Sequence, residues 1–156
     1  MEETTYIPYI ERYFTKYIST IYDNQCVLRH LNQFVCLICI NENLAKTLTD
    51  FRFEYKVKFK SFTGKRKHDA MQLSPTTILA EIQFGETKLM LRSCVFGKLL
   101  ELNSNIDNEL IRTKSERDGY LAIVGTSERQ WHKSLNTNGE RQEPALRKVH
   151  SIDELS

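Results

Sequence analysis

A net charge of one sign is almost missing from this chain. Its 22 lysines and arginines face 20 aspartates and glutamates, leaving +2, too little for a global field to draw it to nucleic acid or membrane. Three prolines and six glycines in 156 residues exclude collagen-like and low-complexity architectures. The longest unbroken apolar run, Phe34 to Ile40, has seven residues, where a membrane helix needs about 20. Met1-Glu2-Glu3 brings neither a basic nor an apolar leader, so the expected address is the reducing interior of a cell. Catalytic templates are missing too: no G-x-S-x-G, P-loop, G-x-G-x-x-G or H-E-x-x-H occurs. His30, His68, His132 and His150 are scattered, and a general base needs a positioned partner. The chain therefore reads as no enzyme, with no catalytic, cofactor-binding or metal-binding residues and no cofactor.

Four cysteines, Cys26, Cys36, Cys39 and Cys94, suit the reducing address. Cys36-Leu37-Ile38-Cys39 is formally a C-x-x-C, but it lies within the apolar run that reads as a buried strand. Strand positions three apart point to opposite faces, so these sulfurs cannot share one metal. Buried free thiols that pack as small hydrophobes are the expected state.

What is present is a succession of strands. Residues 4–19 place Tyr6, Ile7, Ile10, Tyr13, Phe14, Tyr17 and Ile18 at spacings of three and four, which predicts an N-terminal amphipathic helix with Pro8 in its first turn. Cys26–Leu31 and Phe34–Ile40 flank Asn32-Gln33 as a hairpin. Phe51, Phe53, Tyr55, Val57 and Phe59 alternate with Arg52, Glu54, Lys56, Lys58 and Lys60, predicting a strand over 51–60 with one dry and one wet face. Leu79–Phe84 and Thr87–Arg92 form another hairpin around Gly85-Glu86. An extended segment over 94–103 carries Gly97 where a bend or a close backbone approach is needed. Asn105–Lys114 reads as a short helix or a turn-rich connection, and residues 119–124 as a last strand. Residues 127–156 hold one tryptophan, Trp131, few aliphatic residues, and five basic against five acidic side chains. They read as a flexible polar tail, with a loose helix over 144–155 as the alternative. The expected fold is mainly β, α+β at most: one domain over residues 1–126, a small barrel or sandwich with an N-terminal helix, and a tail over 127–156.

The near-neutral total conceals a cationic segment. Between positions 52 and 67, Arg52, Lys56, Lys58, Lys60, Lys65, Arg66 and Lys67 stand against Glu54 alone. That is +6 in sixteen residues, so the other 140 carry −4. Lys56, Lys58 and Lys60 share one side of the predicted strand, about 6.5–7 Å apart. The bland account is an edge strand guarded against aberrant pairing. The functional account is a partner-binding patch of Lys56, Lys58, Lys60, Lys65, Arg66 and Lys67 for an acidic protein or, more weakly, a nucleic-acid backbone. Lysines without a row of exposed aromatics favour unspecific electrostatic attraction over base readout.

Two resemblances add to this reading. Arg12-Tyr13-Phe14-Thr15, Cys26-Val27-Leu28-Arg29-His30, Gly64-Lys65-Arg66-Lys67, the run Ser93 to Asn103 and the run Gly119 to Val124 together resemble the Abitram (Simiate) family over about residues 10–125. That resemblance implies a non-enzymatic, actin-binding, transcription-modulating protein. It implies an influence on actin polymerisation and filopodia, and residence in nuclear speckles, cytoplasm and actin-rich projections. The last two motifs are also similar to those of glycine-cleavage H-proteins and lipoyl carriers, which implies a barrel-sandwich hybrid fold and a rival function as a lipoyl or biotinyl carrier. Such a carrier needs a lysine at a hairpin tip eleven positions before the motif glycine, here Gly97. Glu86 occupies that position, and Lys88 lies in the following strand.

Overall fold

The computed structural model describes residues 13–57, 71–136 and 144–149. In chain order these form β1 (Phe14–Ser19), β2 (Gln25–His30), β3 (Val35–Ile40), α1 (Glu42–Ala45), β4 (Phe51–Tyr55), β5 (Gln72–Leu73), β6 (Ile78–Phe84), β7 (Thr87–Arg92), β8 (Gly97–Leu102), α2 (Asn108–Lys114), β9 (Ala122–Gly125), α3 (Glu128–Leu135) and β10 (Leu146–Lys148). Antiparallel pairing arranges them in a seven-stranded sheet, β10-β1-β2-β3-β9-β8-β5, and a three-stranded sheet, β4-β6-β7. No ladder joins the two among the described residues. The architecture is mainly β, as the strand count predicts, and it is an unclosed sandwich.

Period-two alternation fills the space between the sheets. Val27, Cys36, Ile38, Leu99 and Val124 of the larger sheet meet Phe51, Leu79, Ile82 and Leu91 of the smaller one. The outer face of the larger sheet carries a second cluster, Cys26, Leu28 and Cys39, flanked by Phe14, Leu37 and Tyr120. Cys36 and Cys39 thus lie on opposite faces, as strand geometry requires. All four thiols are free. Burial pushes Cys36 up to about 11 and Cys94 up to about 12, and hydrogen bonding with Cys39 together with burial raises Cys26 well above the usual thiol value. Protonated, enclosed sulfurs are poor nucleophiles and poor metal ligands.

Polar side chains bridge the two sheets where no ladder does. The buried Gln25 amide accepts from Arg92 N–H at 2.6 Å and donates to Arg92 C=O at 2.7 Å, so it imitates a paired strand at the end of β7. From β4, the Tyr55 hydroxyl donates to Leu121 C=O at 2.6 Å and accepts from Asn103 N–H at 3.3 Å. Asn103 in turn donates to Asp118 and Tyr120 carbonyls at 2.7 and 3.0 Å. Within the larger sheet, Gly97 permits a close approach: a Cβ there would lie 2.4 Å from Gly125 O. The sequence expectation for Gly97 therefore holds.

Several expectations are corrected. Residues 14–19, read as the end of the amphipathic helix, are strand β1, paired with β2 on one side and β10 on the other; residues 4–12 lie outside the described residues. Aromatics at 13, 14 and 17 satisfy helical spacing, yet Phe14, Tyr17 and Ile18 also suit a pleated surface, and two neighbouring strands decided the outcome. The first hairpin turns over four residues, Leu31 to Phe34, instead of Asn32-Gln33 alone. Within the stretch read as a tail, Ser127 and Gln130 form a reciprocal capping box that starts α3. That helix buries Trp131, 1% exposed, edge-on to Tyr17 at 4.8 Å and beneath the Arg29 guanidinium at 4.6 Å. Residues 146–148, the alternative terminal helix, are strand β10 on β1. Composition missed both because one large ring and three ladder pairs anchor a segment poor in aliphatics.

Trp131→Ala should lower unfolding free energy by about 3–5 kcal/mol, the usual cost of emptying a buried aromatic site, read from urea transitions with unchanged slope. A loss under about 1 kcal/mol would show that α3 is not docked. Burial also pushes the Tyr55 phenol up to about 12, against an opposing contribution from the Asn103 N–H. The folded state then keeps a proton that the unfolded chain releases near pH 10. This contribution is complete below pH 10 and is lost as pH rises toward 12. Tyr55→Phe should cost about 1 kcal/mol at neutral pH and flatten the difference in stability between pH 10 and 12; parallel alkaline profiles for the two proteins would contradict the assignment.

Candidate interaction surface

Of the six basic residues singled out in the sequence, the structure places one. Strand β4 ends at Tyr55, short of the predicted strand through Lys60. The ladder breaks because Lys56 N–H and Val57 N–H both donate to Leu79 C=O, at 2.8 and 3.4 Å. Lys56 stands on the wet face, where its Nζ meets Glu54 at 2.7 Å and Glu81 at 3.9 Å. Hydrogen bonding to Glu54 raises the lysine pKa, and the same bond lowers that of Glu54. Arg52 and Lys88 add positive potential to Glu54 from either side. The wet face of the smaller sheet is therefore a lattice of alternating signs, and Lys56 is countered by its neighbours. Lys58, Lys60, Lys65, Arg66 and Lys67 lie outside the described residues. The described residues resume at Met71, whose carbonyl accepts from Leu99 N–H at 2.9 Å.

The second feature named from the sequence is the β6–β7 hairpin. Phe84 and Thr87 pair across Gly85-Glu86, and Gly85 takes φ +61°, the left-handed value that a two-residue turn demands and glycine meets at little steric cost. Glu86 sits exposed at the tip. Lys88 is also exposed but lies within β7, opposite Gln83. The hairpin geometry of a carrier is present, with a carboxylate where an acyl-accepting amine belongs.

Sequence reasoning missed a third feature. Arg29 on β2 stacks over Trp131 and makes two 3.2 Å bonds to the Glu128 carboxylate, fastening α3 to the sheet. The S-x-x-Q pattern at Ser127 to Gln130 was the available signal. In an open cleft lined by Leu48, Asp50, Phe51, Asn108 and Arg112, Asn108 donates to Phe51 C=O at 2.8 Å and Arg112 meets Glu109 at 2.6 Å. Among the described residues no cluster of three His, Cys, Asp or Glu side chains is arranged to hold a metal.

Comparison with known proteins places this geometry in context. The chain is 32% identical over 128 residues to Protein Abitram of Dictyostelium discoideum, covering 74% of this chain and 73% of that one. It is 26% identical over 132 residues to Protein Abitram of Xenopus tropicalis and to that of Homo sapiens, covering 74% of this chain and 72% of each. No protein-family model matches. Among solved structures, the glycine cleavage system H protein of Mycobacterium marinum superposes with a TM-score of 0.54 at 16% identity, over 71% of this chain and 82% of that one. This likeness shows the fold, a barrel-sandwich hybrid.

The intact mass of protein purified from its native host should equal the sequence mass, without a lipoyl or biotinyl increment. An added acyl mass mapping to Lys88 would restore the carrier reading.

Proposed function

The chain belongs to the Abitram family, and we propose that it is a non-enzymatic adaptor that binds actin and modulates transcription through its basic segment. The observation that carries this reading is the local +6 between residues 52 and 67 in a chain whose remainder is −4. A cluster of that density attracts an acidic surface at short range, whereas a net +2 attracts nothing in particular. Two structural facts support it. Glu86, not lysine, occupies the hairpin tip of the carrier-like scaffold, which argues against the swinging-arm alternative. The salt bridges of Lys56 to Glu54 and Glu81 hold that residue against the smaller sheet. In this reading the protein influences actin polymerisation and filopodia, and resides in nuclear speckles, cytoplasm and actin-rich projections.

Because Lys56 is already countered by Glu54 and Glu81, the test reverses the residues beyond it. Changing Lys58, Lys60, Lys65, Arg66 and Lys67 to Glu should abolish co-sedimentation with actin filaments at low salt, while the thermal midpoint stays within a few degrees. Wild-type binding should weaken as salt rises. Undiminished co-sedimentation of the variant would refute the basic-segment assignment. Tight binding of wild type to random polynucleotide, with a steep salt slope and none to actin, would move the protein to the nucleic-acid class.

A further inference from the structure

The outer face of the larger sheet carries an apolar strip that the core does not use. Tyr17, Val27, Cys36 and Val124 face inward, so alternation turns Phe14, His30, Val35 and Gly125 outward, with Leu28, Leu37 and Ile123 in the next row. Phe14 pairs with His30, Val35 with Gly125, and Gly125 with Lys98; His30 and Val35 take the position after the Arg29–Cys36 pair. One line therefore crosses the sheet from β1 to β8. Gly125 adds no side chain to it, and Leu100 lies over that gap, its Cδ1 3.3 Å from where a Cβ would sit. Leu28 is buried, but Phe14, Val35, Leu37 and Ile123 are only partly so, and Leu100 is 44% exposed. Single exposed apolar residues are ordinary, but a contiguous strip of them is not.

The chain enters this strip at its β1 end. An extended Tyr13 would face inward by alternation with Phe14, but its backbone is helical, and the ring instead stacks on the outward His30 at 6.2 Å. Phe14 meets the same imidazole edge-on at 4.9 Å, and Tyr13 C=O accepts from Leu31 N–H at 2.8 Å. Residues 1–12 lie outside the described residues; their sequence sets Tyr6, Ile7 and Ile10 at helical spacing with Tyr13 and Phe14. Eleven steps from Glu2 to Tyr13 span at least about 17 Å, the helical minimum. The line from β1 to β8 covers four strand spacings, about 19 Å. At its far end stands the exposed Lys98, and the segment opens with Glu2-Glu3.

We propose that the outer strip is the docking surface for the chain's own N-terminal segment: residues 4–12 cross it as an amphipathic strap. Tyr6, Ile7 and Ile10 cover Leu37, Ile123 and Leu100, and Glu2 and Glu3 reach Lys98. A helix this short is marginal in water and takes its stability from the face it covers. Covering the strip removes an apolar patch that otherwise recruits a second molecule. The occupant is this segment because it is tethered at Phe14, inside the strip, and a short tether supplies an effective concentration on the order of millimolar. The inference goes beyond the adaptor reading and does not depend on it.

The experiment compares the full-length chain with Ile7→Asp/Ile10→Asp, which charges the stripe, and Thr4→Asp/Thr5→Asp, which adds the same charge off it. Hydroxyl-radical labelling, read by mass spectrometry, should rise severalfold at Leu37, Ile123 and Leu100 in the stripe variant and stay at the wild-type level in the control. Labelling of the enclosed Ile38 and Trp131 should not change in either, which shows that the fold is intact. Should the aspartates also expose Ile38, Ile7→Ser/Ile10→Ser replaces them and is read the same way. Equal labelling of wild type and the folded stripe variant would overturn the strap, and so would an equal rise in both variants. Wild-type protection that disappears on dilution, with a dimer in sedimentation equilibrium, would give the strip to a second copy and overturn the proposal too. None of these readouts involves actin, so failure here leaves the adaptor reading standing, and failure of that reading leaves the strap.

Discussion

Two sheets that share no strand ladder among the described residues are joined there by something other than backbone pairing, and the rest of the structure depends on how that is met. The apolar interior supplies most of the driving force but no direction. Direction comes from side chains that satisfy main-chain groups on the opposite sheet. Gln25 closes both hydrogen-bonding positions of Arg92 from β2, and Tyr55 spans from β4 to Leu121 and Asn103. Removing the Gln25 amide would leave two main-chain groups, the Arg92 N–H and C=O, unsatisfied, at a cost of about 1–3 kcal/mol each. The two bridges sit on different strands of the larger sheet, so together they fix both the separation and the rotation of the smaller one. The β6–β7 hairpin, which belongs wholly to the smaller sheet, inherits its position from them.

That dependence explains how a fold shared with a carrier can persist without the carrier's residue. The constraints that hold the hairpin in place are Gln25, Tyr55 and the packed faces of β6 and β7, none of which involves the tip. Replacing a lysine there by glutamate leaves the turn unaltered, because Gly85 carries its only left-handed φ. The scaffold is thus indifferent to what this exposed turn presents.

Legibility in the sequence followed the range of the interactions involved. Alternation over 51–60 and the Gly85-Glu86 turn are local signals; the turn forms where the pattern put it, and the strand forms over its first half, Phe51–Tyr55. Gly97 was readable as a point of close approach, though its partner, Gly125, belongs to a strand 28 positions away and was not. The opposite orientation of Cys36 and Cys39 followed from period two alone. Failures occurred where distant strands decided the matter. Phe14, Tyr17 and Ile18 fit a helical stripe and a strand equally well, and only the flanking β2 and β10 select the strand. The segment after Thr126 is poor in aliphatics, but it buries Trp131, Ala145 and Leu146, which composition averages away. Its capping box was a local signal present in Ser127 and Gln130 and passed over. For the candidate surface, composition located the cationic run correctly in sequence, but could not show that Lys56 is answered by Glu81, an acid on a paired strand 25 positions later.

The arrangement of charge bears on selectivity. At physiological ionic strength a charge is felt over about 8 Å, so a +6 segment and a −4 remainder act as separate objects, not as a sum. A partner approaching elsewhere meets a mildly anionic body and is not retained. One approaching the segment meets a concentrated positive field, but lysine charges alone discriminate poorly between one acidic surface and another. Discrimination requires a contact that is short-ranged and shape-dependent, and apolar side chains standing out from a rigid sheet have that property. Charge that is local but unselective and apolar contact that is selective but short-ranged complement each other.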